Sequence, residues 1–173
     1  MQTEPRATQP PVGVPWHGAT FVSAFPRFFR GYAVFRGRAA RPEFWWWALW
    51  SFLIVQALQI PWAIGIVTWR PGPVSAADSA MLDDAMRSFN PFPVWGYLLG
   101  SLPPIAQIGI GLYGVVLLVI ALPWIAIAVR RLHDSGRSGW WVLLYLVPIG
   151  NIVLLVLLAQ PSDQRGARFD RPA

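Results

Sequence analysis

The stretch RRLHDSGRSGWW, residues 130–141, brings together the side chains in this chain that could do chemistry. His133, Asp134 and Ser135 are the three residue types of a hydrolase triad. They are consecutive, however, and neighbouring side chains on a helix point in different directions. A triad is defined by the geometry of its members, so we predict no nucleophilic catalysis and assign no catalytic residue.

Metal binding is not predicted either. The chain has two histidines and no cysteine. The second histidine, His17, lies in the proline-rich N-terminal region, far along the chain from His133. A zinc site needs several such ligands, and a disulfide framework needs cysteines. We therefore expect no metal and no cofactor.

An anion site is a third possibility, because paired arginines bind phosphate bidentately. Lipid headgroups would meet arginines at the depth of the helix ends. Alternatively, Glu43 and Asp134 neutralise the arginines in an internal salt-bridge network, and both interpretations stay open. The candidate cluster comprises Arg38, Arg41, Glu43, Arg130, Arg131, His133, Asp134 and Arg137.

The same stretch also reads as a hinge between two helices. Gly136 is suited to end the helix that contains His133. Ser138 is suited to cap the helix that follows. Trp140 and Trp141 follow at the beginning of that helix, where aromatic side chains commonly anchor a helix in the membrane interface.

Composition identifies the element type that positions these residues. Hydrophobic residues make up 55% of the 173-residue chain and charged residues 13%, whereas soluble domains carry about 25% charge. The chain also has eleven tryptophans and a net charge of +6. Its fourteen basic residues of the Lys and Arg types are all arginine. Because most arginines flank apolar segments, anionic lipid is favoured as their partner over nucleic acid.

The chain predicts an all-α membrane protein with one membrane domain over residues 18–160. We predict a disordered proline-rich N-terminus over residues 1–17 and a polar tail over residues 161–173. Aromatic residues at helical spacing in residues 18–35 indicate an amphipathic helix, which either lies in the membrane interface or packs on the protein. The predicted spans are residues 44–69, 105–129 and 140–159, and a polar loop covers residues 70–90.

Three transmembrane helices are favoured by length, with four as the alternative if PFPVWGYLLGS also crosses. Either count places nine arginines inside and five outside when the N-terminus is cytoplasmic. The difference matters for the cluster. With three spans, FRGRAARPEF and RRLHDSGR lie on one side of the membrane, and with four they lie on opposite sides.

Two motifs carry a family resemblance. FRGRAARPEFWWW and RRLHDSGRSGWWVLLYLVPIGNIVLLVLLAQPSD resemble, in this order, motifs of the small bacterial inner-membrane proteins of the YhaH type, a domain of unknown function numbered 805. The resemblance covers about residues 25–170 and implies a multi-pass inner-membrane protein with no established activity. The matching positions are Gly37, Arg38, Arg41, Glu43, Arg130, Arg131, Leu132, His133, Asp134, Gly136, Ser138 and Trp140.

Three functions follow as hypotheses. The first is a non-enzymatic membrane module that binds anionic phospholipid, a membrane-protein partner or a second copy of itself through the cluster. The second is a small transporter, channel or export subunit, although no charged residue lies inside any predicted span. The third is a membrane enzyme acting on a lipid phosphate through His133 or Asp134.

Overall fold

The structure is a computed structural model that describes residues 9–170. No strand occurs among these residues, which confirms the all-α prediction. Six α-helices and two 3-10 helices follow in the order α1 Phe21–Arg30, α2 Arg41–Thr68, α3 Ala76–Arg87, α4 Phe92–Ser101, α5 Pro104–Asp134, the first 3-10 helix Gly139–Leu146, α6 Gly150–Ala159 and the terminal 3-10 helix Gln164–Phe169.

Helices α2 and α5 are long and apolar enough to cross a membrane. They have 28 and 31 residues, whereas a span needs about 20. They contain the predicted spans 105–129 and, except for Trp69, 44–69. Helix α4 has 10 residues and ends before Pro103 and Pro104, so it is about half the length of a span.

The predicted third span, residues 140–159, is not one continuous helix. Its first part is a 3-10 helix of 8 residues, and its second part, α6, has 10 residues. Pro148 interrupts the helix between them because it has no N–H to donate. Gly150 follows, and a Cβ there would collide with the carbonyl oxygen of Leu144. The two pieces pack against each other.

The chain forms two compact units. One contains the described parts of Met1–Leu53 and Leu118–Ala173, and the other is Ile54–Leu117. In the second unit, Gly65 packs against Ala106, and Gly109 packs against the backbone of Trp62. Small residues allow this close approach of two helices. All residues of the candidate cluster belong to the first unit.

Helix α1 packs on α2 in the first unit. Thr20 and Ser23 form a capping box at its beginning, which satisfies free N–H groups of the first turn. The Phe28 ring stacks on Trp47 at 3.3 Å between centroids, and the Phe21 ring stacks on Trp50 at 4.2 Å. One face of α1 is therefore covered by the protein itself.

Candidate functional site

The two charged motifs come together in the first unit. The N–H of Ala39 donates to the carbonyl oxygen of Arg130 at 3.1 Å. Nδ1 of His133 lies 3.1 Å from the carbonyl oxygen of Gly37. Nη1 of Arg38 is 3.8 Å from Oδ1 of Asp134. The beginning of α2 and the end of α5 are thus neighbours, although about 90 residues separate them along the chain.

Asp134 is the buried centre of this junction. Its Oδ2 accepts hydrogen bonds from Arg131 and, at 2.6 Å, from the hydroxyl of Ser162. Asp134 and Arg131 are fully buried. Burying two charges is tolerable only when they are paired and hydrogen-bonded. The pair therefore ties the end of α5 to the segment that follows α6.

Three arginines hold the end of α6, and we name Arg41, Arg131 and Arg137 the arginine clamp. Arg41 donates to the carbonyl oxygens of Ala159 and Gln160 at 2.6 and 2.9 Å. Arg131 donates to the carbonyl oxygens of Leu158, at 2.9 Å, and Gln160. Arg137 donates to Oε1 of Gln160 at 2.9 Å.

The end of a helix offers a physical reason for this arrangement. The last four carbonyl groups of an α-helix have no partner inside the helix. They also carry the negative end of the helix dipole, which favours nearby cations. The clamp supplies both the donors and the positive charge at the end of α6.

Glu43 is neutralised by an arginine that the sequence analysis did not place in the cluster. Nε of Arg27 lies 2.5 Å from Oε2 of Glu43, and both side chains are 3% exposed. The other carboxylate oxygen accepts from the N–H groups of Trp16, at 2.6 Å, and Ala40, at 3.2 Å. The sequence does contain a signal that Arg27 is buried. Ala24, Arg27 and Phe28 are spaced so that they share one face of a helix, and this face is buried.

Arg27 also orders the residues before α1. Its guanidinium donates to the carbonyl oxygens of Pro10, Pro11 and Val14 at 2.5, 3.1 and 2.8 Å. These three carbonyl groups lie within residues 1–17, for which the sequence predicts disorder. Proline-rich composition does not reveal that a buried arginine will bind these carbonyl groups. Residues 1–8 lie outside the described residues.

The surroundings of Arg130 differ from those of the buried arginines Arg27 and Arg131, which pair with carboxylates. Arg130 is 1% exposed, and its Nε lies 3.4 Å from the carbonyl oxygen of Ala126. Among residues 9–170, no carboxylate lies within 4.0 Å of its guanidinium. The guanidinium lies against Gly31, where a Cβ would be 2.6 Å from Nη2. Gly31 therefore makes room for this side chain.

Gly136 and Ser138 lie in the hinge between α5 and the first 3-10 helix. Helix α5 ends at Asp134, and Gly136 has a positive φ of 72°, a conformation that glycine adopts at no steric cost. The hydroxyl of Ser138 accepts from the N–H of Trp140 at 3.4 Å and caps the first 3-10 helix. Trp140 and Trp141 are both exposed on that helix.

The polar tail is ordered against the hinge, which the sequence analysis did not predict. The Phe169 ring stacks on His133 at 3.9 Å between centroids. The N–H of Asp163 donates to the carbonyl oxygen of Asp134 at 2.8 Å. Asp170 pairs with Arg38. A cation at the first motif thus meets a carboxylate at the far end of the chain.

The triad residue types do not assemble. Nδ1 of His133 faces Gly37, and Asp134 binds Arg131 and Ser162. The hydroxyl of Ser135 donates to the carbonyl oxygen of Leu132 at 3.0 Å. Within residues 9–170, no group of three or more His, Cys, Asp or Glu is arranged to hold a metal ion.

Comparison with known proteins identifies a family for this chain. Residues 32–171 match the family described as protein of unknown function (DUF805). The chain is 28% identical to inner membrane protein YhaH of Escherichia coli (strain K12) over 144 residues, covering 83% of this chain and 89% of that protein. It is 38% identical to inner membrane protein YhaI of the same strain over 84 residues, covering 45% and 71%. No solved structure matches it significantly.

Proposed function

The chain belongs to the DUF805 family, and from that premise we propose that it is a non-catalytic, multi-pass module of the bacterial inner membrane. Its charged cluster joins helix ends to one another, and its surplus positive charge binds anionic phospholipid. The inner-membrane relatives support the location. The charge-free lengths of α2 and α5 support a membrane domain.

The structural role rests on one observation: charged side chains of the cluster are bound by other groups of the same protein. Arg38, Arg131 and Arg27 pair with carboxylates. Arg41 and Arg137 donate to the backbone or side chain at the end of α6. Arg38 and Asp170 also line a cavity, but they are paired with each other there.

The surplus charge supports the lipid role. Residues 9–43 and 130–170 contain ten arginines and four carboxylates, an excess of six positive charges. Arg36 and Arg165 are exposed. Near an anionic membrane surface, each such arginine contributes about 1 kcal/mol of attraction.

The orientation follows the positive-inside rule. Residues 1–43 and 130–138 contain nine arginines, whereas loop residues 70–90 contain two. The contact between Ala39 and Arg130 supports a common side for the first two groups. This side is cytoplasmic under the rule, and α1 then lies near the cytoplasmic headgroups.

A lipid-retention experiment tests the second role. The full-length protein is extracted into detergent with phosphatidylglycerol, cardiolipin or phosphatidylcholine and examined by native mass spectrometry. The double variant Arg36→Gln/Arg165→Gln removes two exposed charges. We expect it to retain at least threefold less of the two anionic lipids, with retention of phosphatidylcholine unchanged.

The matched control is Arg70→Gln/Arg87→Gln, which removes two arginines from the opposite loop. It has the same net charge as the first double variant. Equal retention of anionic lipid by the two variants would contradict lipid binding at the cytoplasmic face. A circular-dichroism melt of each variant establishes that both remain folded.

A further inference from the structure

The two ends of the segment Gly139–Ala159 meet. Arg137 stands two residues before it, and Gln160 directly follows it, yet Nη2 of Arg137 lies 2.9 Å from Oε1 of Gln160. Next to this contact, the N–H of Asp163 donates to the carbonyl oxygen of Asp134 at 2.8 Å. A straight α-helix over such a segment is about 30 Å long. One crossing would hold these groups a whole bilayer apart.

The segment instead runs out and back. The first 3-10 helix has 8 residues and rises about 2.0 Å per residue, so it is about 16 Å long. Helix α6 has 10 residues and is about 15 Å long. The hydrocarbon core of a bilayer is about 30 Å thick. Each leg therefore reaches about half-way through it.

Two backbone hydrogen bonds close the turn between the legs. The N–H of Val147 donates to Leu144, and the N–H of Gly150 donates to Val147, at 3.1 and 2.9 Å. Pro148 has no N–H to satisfy. Lipid cannot hydrogen-bond to backbone groups, so these two bonds reduce the number of unpaired groups that the turn would carry into it.

The surface of the segment is mostly apolar, and exposed Asn151 beside the turn is a polar exception. Residues 139–159 contain no charged side chain. At the turn and beside it, Leu146 is 82% exposed and Ile149 is 74% exposed. Arginines contact the segment only at its two ends, where Arg137 binds Gln160 and Arg41 binds Ala159. This distribution fits acyl chains of the leaflet next to the clamp.

We propose that residues 139–159 form a re-entrant hairpin that enters and leaves the cytoplasmic leaflet. Only α2 and α5 then cross the bilayer, and the tail is cytoplasmic. Twelve arginines lie inside and two outside, a stronger asymmetry than the nine and five of a three-span topology. The inference uses the proposed crossing by α2 and α5 and the orientation, but not lipid binding by surplus charge.

Cysteine labelling tests the side of the tail, because the natural chain has no cysteine. Full-length Arg36→Cys, Asp83→Cys and Arg165→Cys each carry one exposed thiol. A membrane-impermeant maleimide is applied to right-side-out and to inverted vesicles. Arg165→Cys is expected to label with Arg36→Cys in inverted vesicles only, and Asp83→Cys in right-side-out vesicles only. Labelling of Arg165→Cys together with Asp83→Cys would overturn the hairpin.

Depth measurement tests the insertion itself. A fluorophore on Ile149→Cys is quenched by spin labels at different depths along the acyl chains. Leu118→Cys, near the middle of the long α5, provides the deep reference, and Arg36→Cys the surface reference. We expect quenching of Ile149→Cys to follow that of Leu118→Cys. A profile like that of Arg36→Cys would refute insertion, and neither readout depends on which lipid the protein retains.

Discussion

Replacing Arg27 by alanine should be among the most destabilising changes in this chain. Arg27 is 3% exposed and pairs with a carboxylate, Glu43, that is equally buried. Its guanidinium also donates to three backbone carbonyl groups. The variant leaves the Glu43 carboxylate buried without its cation, and it releases the segment before α1.

The magnitude follows from these contacts. Removing one partner of a buried ion pair costs about 3–5 kcal/mol, because the remaining charge stays desolvated. The N–H group of Ala40 still binds Glu43, which places the expected loss near the lower end, about 3 kcal/mol. The double variant Arg27→Met/Glu43→Gln removes both charges and should lose less than Arg27→Ala.

The assay is unfolding by sodium dodecyl sulfate in mixed micelles, followed by circular dichroism. Arg30→Ala is the matched control, since Arg30 lies on the same helix, is exposed and donates to Gln9. Surface substitutions of this kind change the free energy of unfolding by about 0.5 kcal/mol or less. Equal losses for Arg27→Ala and Arg30→Ala would refute the buried ion pair as a stabilising contact.

Two further substitutions test backbone conformation. Gly37 has a φ of +81°, and a Cβ there would collide with the backbone of Gly13. Gly37→Ala should therefore lower the free energy of unfolding by at least about 1 kcal/mol. The measurement uses the same micelles, and Gly72→Ala is the control because a Cβ at Gly72 meets open space. Phe89 has a φ of 52° and is 93% exposed, so Phe89→Gly should raise the free energy of unfolding by up to about 1 kcal/mol by removing left-handed strain. Phe89→Ala keeps that strain, and an equal gain from both Phe89 variants would show that the ring and not the backbone is responsible.

Local rules predicted the elements that depend on nearby residues. The charge-free run from Phe44 to Trp69 identified α2, because the length of such a run reports directly on the bilayer. Gly136 and Ser138 identified the end of one helix and the cap of the next, since both effects act within a few residues.

Hydropathy could not reveal that the predicted third span, residues 140–159, is divided into two short helices whose outer ends meet. A run of apolar residues has the same composition whether it crosses the bilayer once or turns back half-way. Pro148 and Gly150 were visible as interruptions, but an interruption predicts a kink as readily as a reversal. The reversal is evident from tertiary contacts such as the one between Arg137 and Gln160.

The partners of the charged cluster could not be predicted from the sequence either. Glu43 and Asp134 were recognisable in the sequence as carboxylates that could neutralise arginines. Arg27, Asp170 and the carbonyl groups at the end of α6 were not recognisable as partners. These partners lie 16 to 132 residues away along the chain. Spacing along a helix cannot report contacts over such separations.

By itself, the sequence determined the membrane class, the two long apolar helices and the local form of the hinge. Each depends on short-range properties: hydrophobic length, the φ preference of glycine and side-chain capping. Tertiary structure alone decided which charges pair and where the chain reverses. The physical reason is that a buried charge and an unpaired helix end must find a partner wherever the fold brings one. In RRLHDSGRSGWW, two arginines and the aspartate therefore serve to join helix ends.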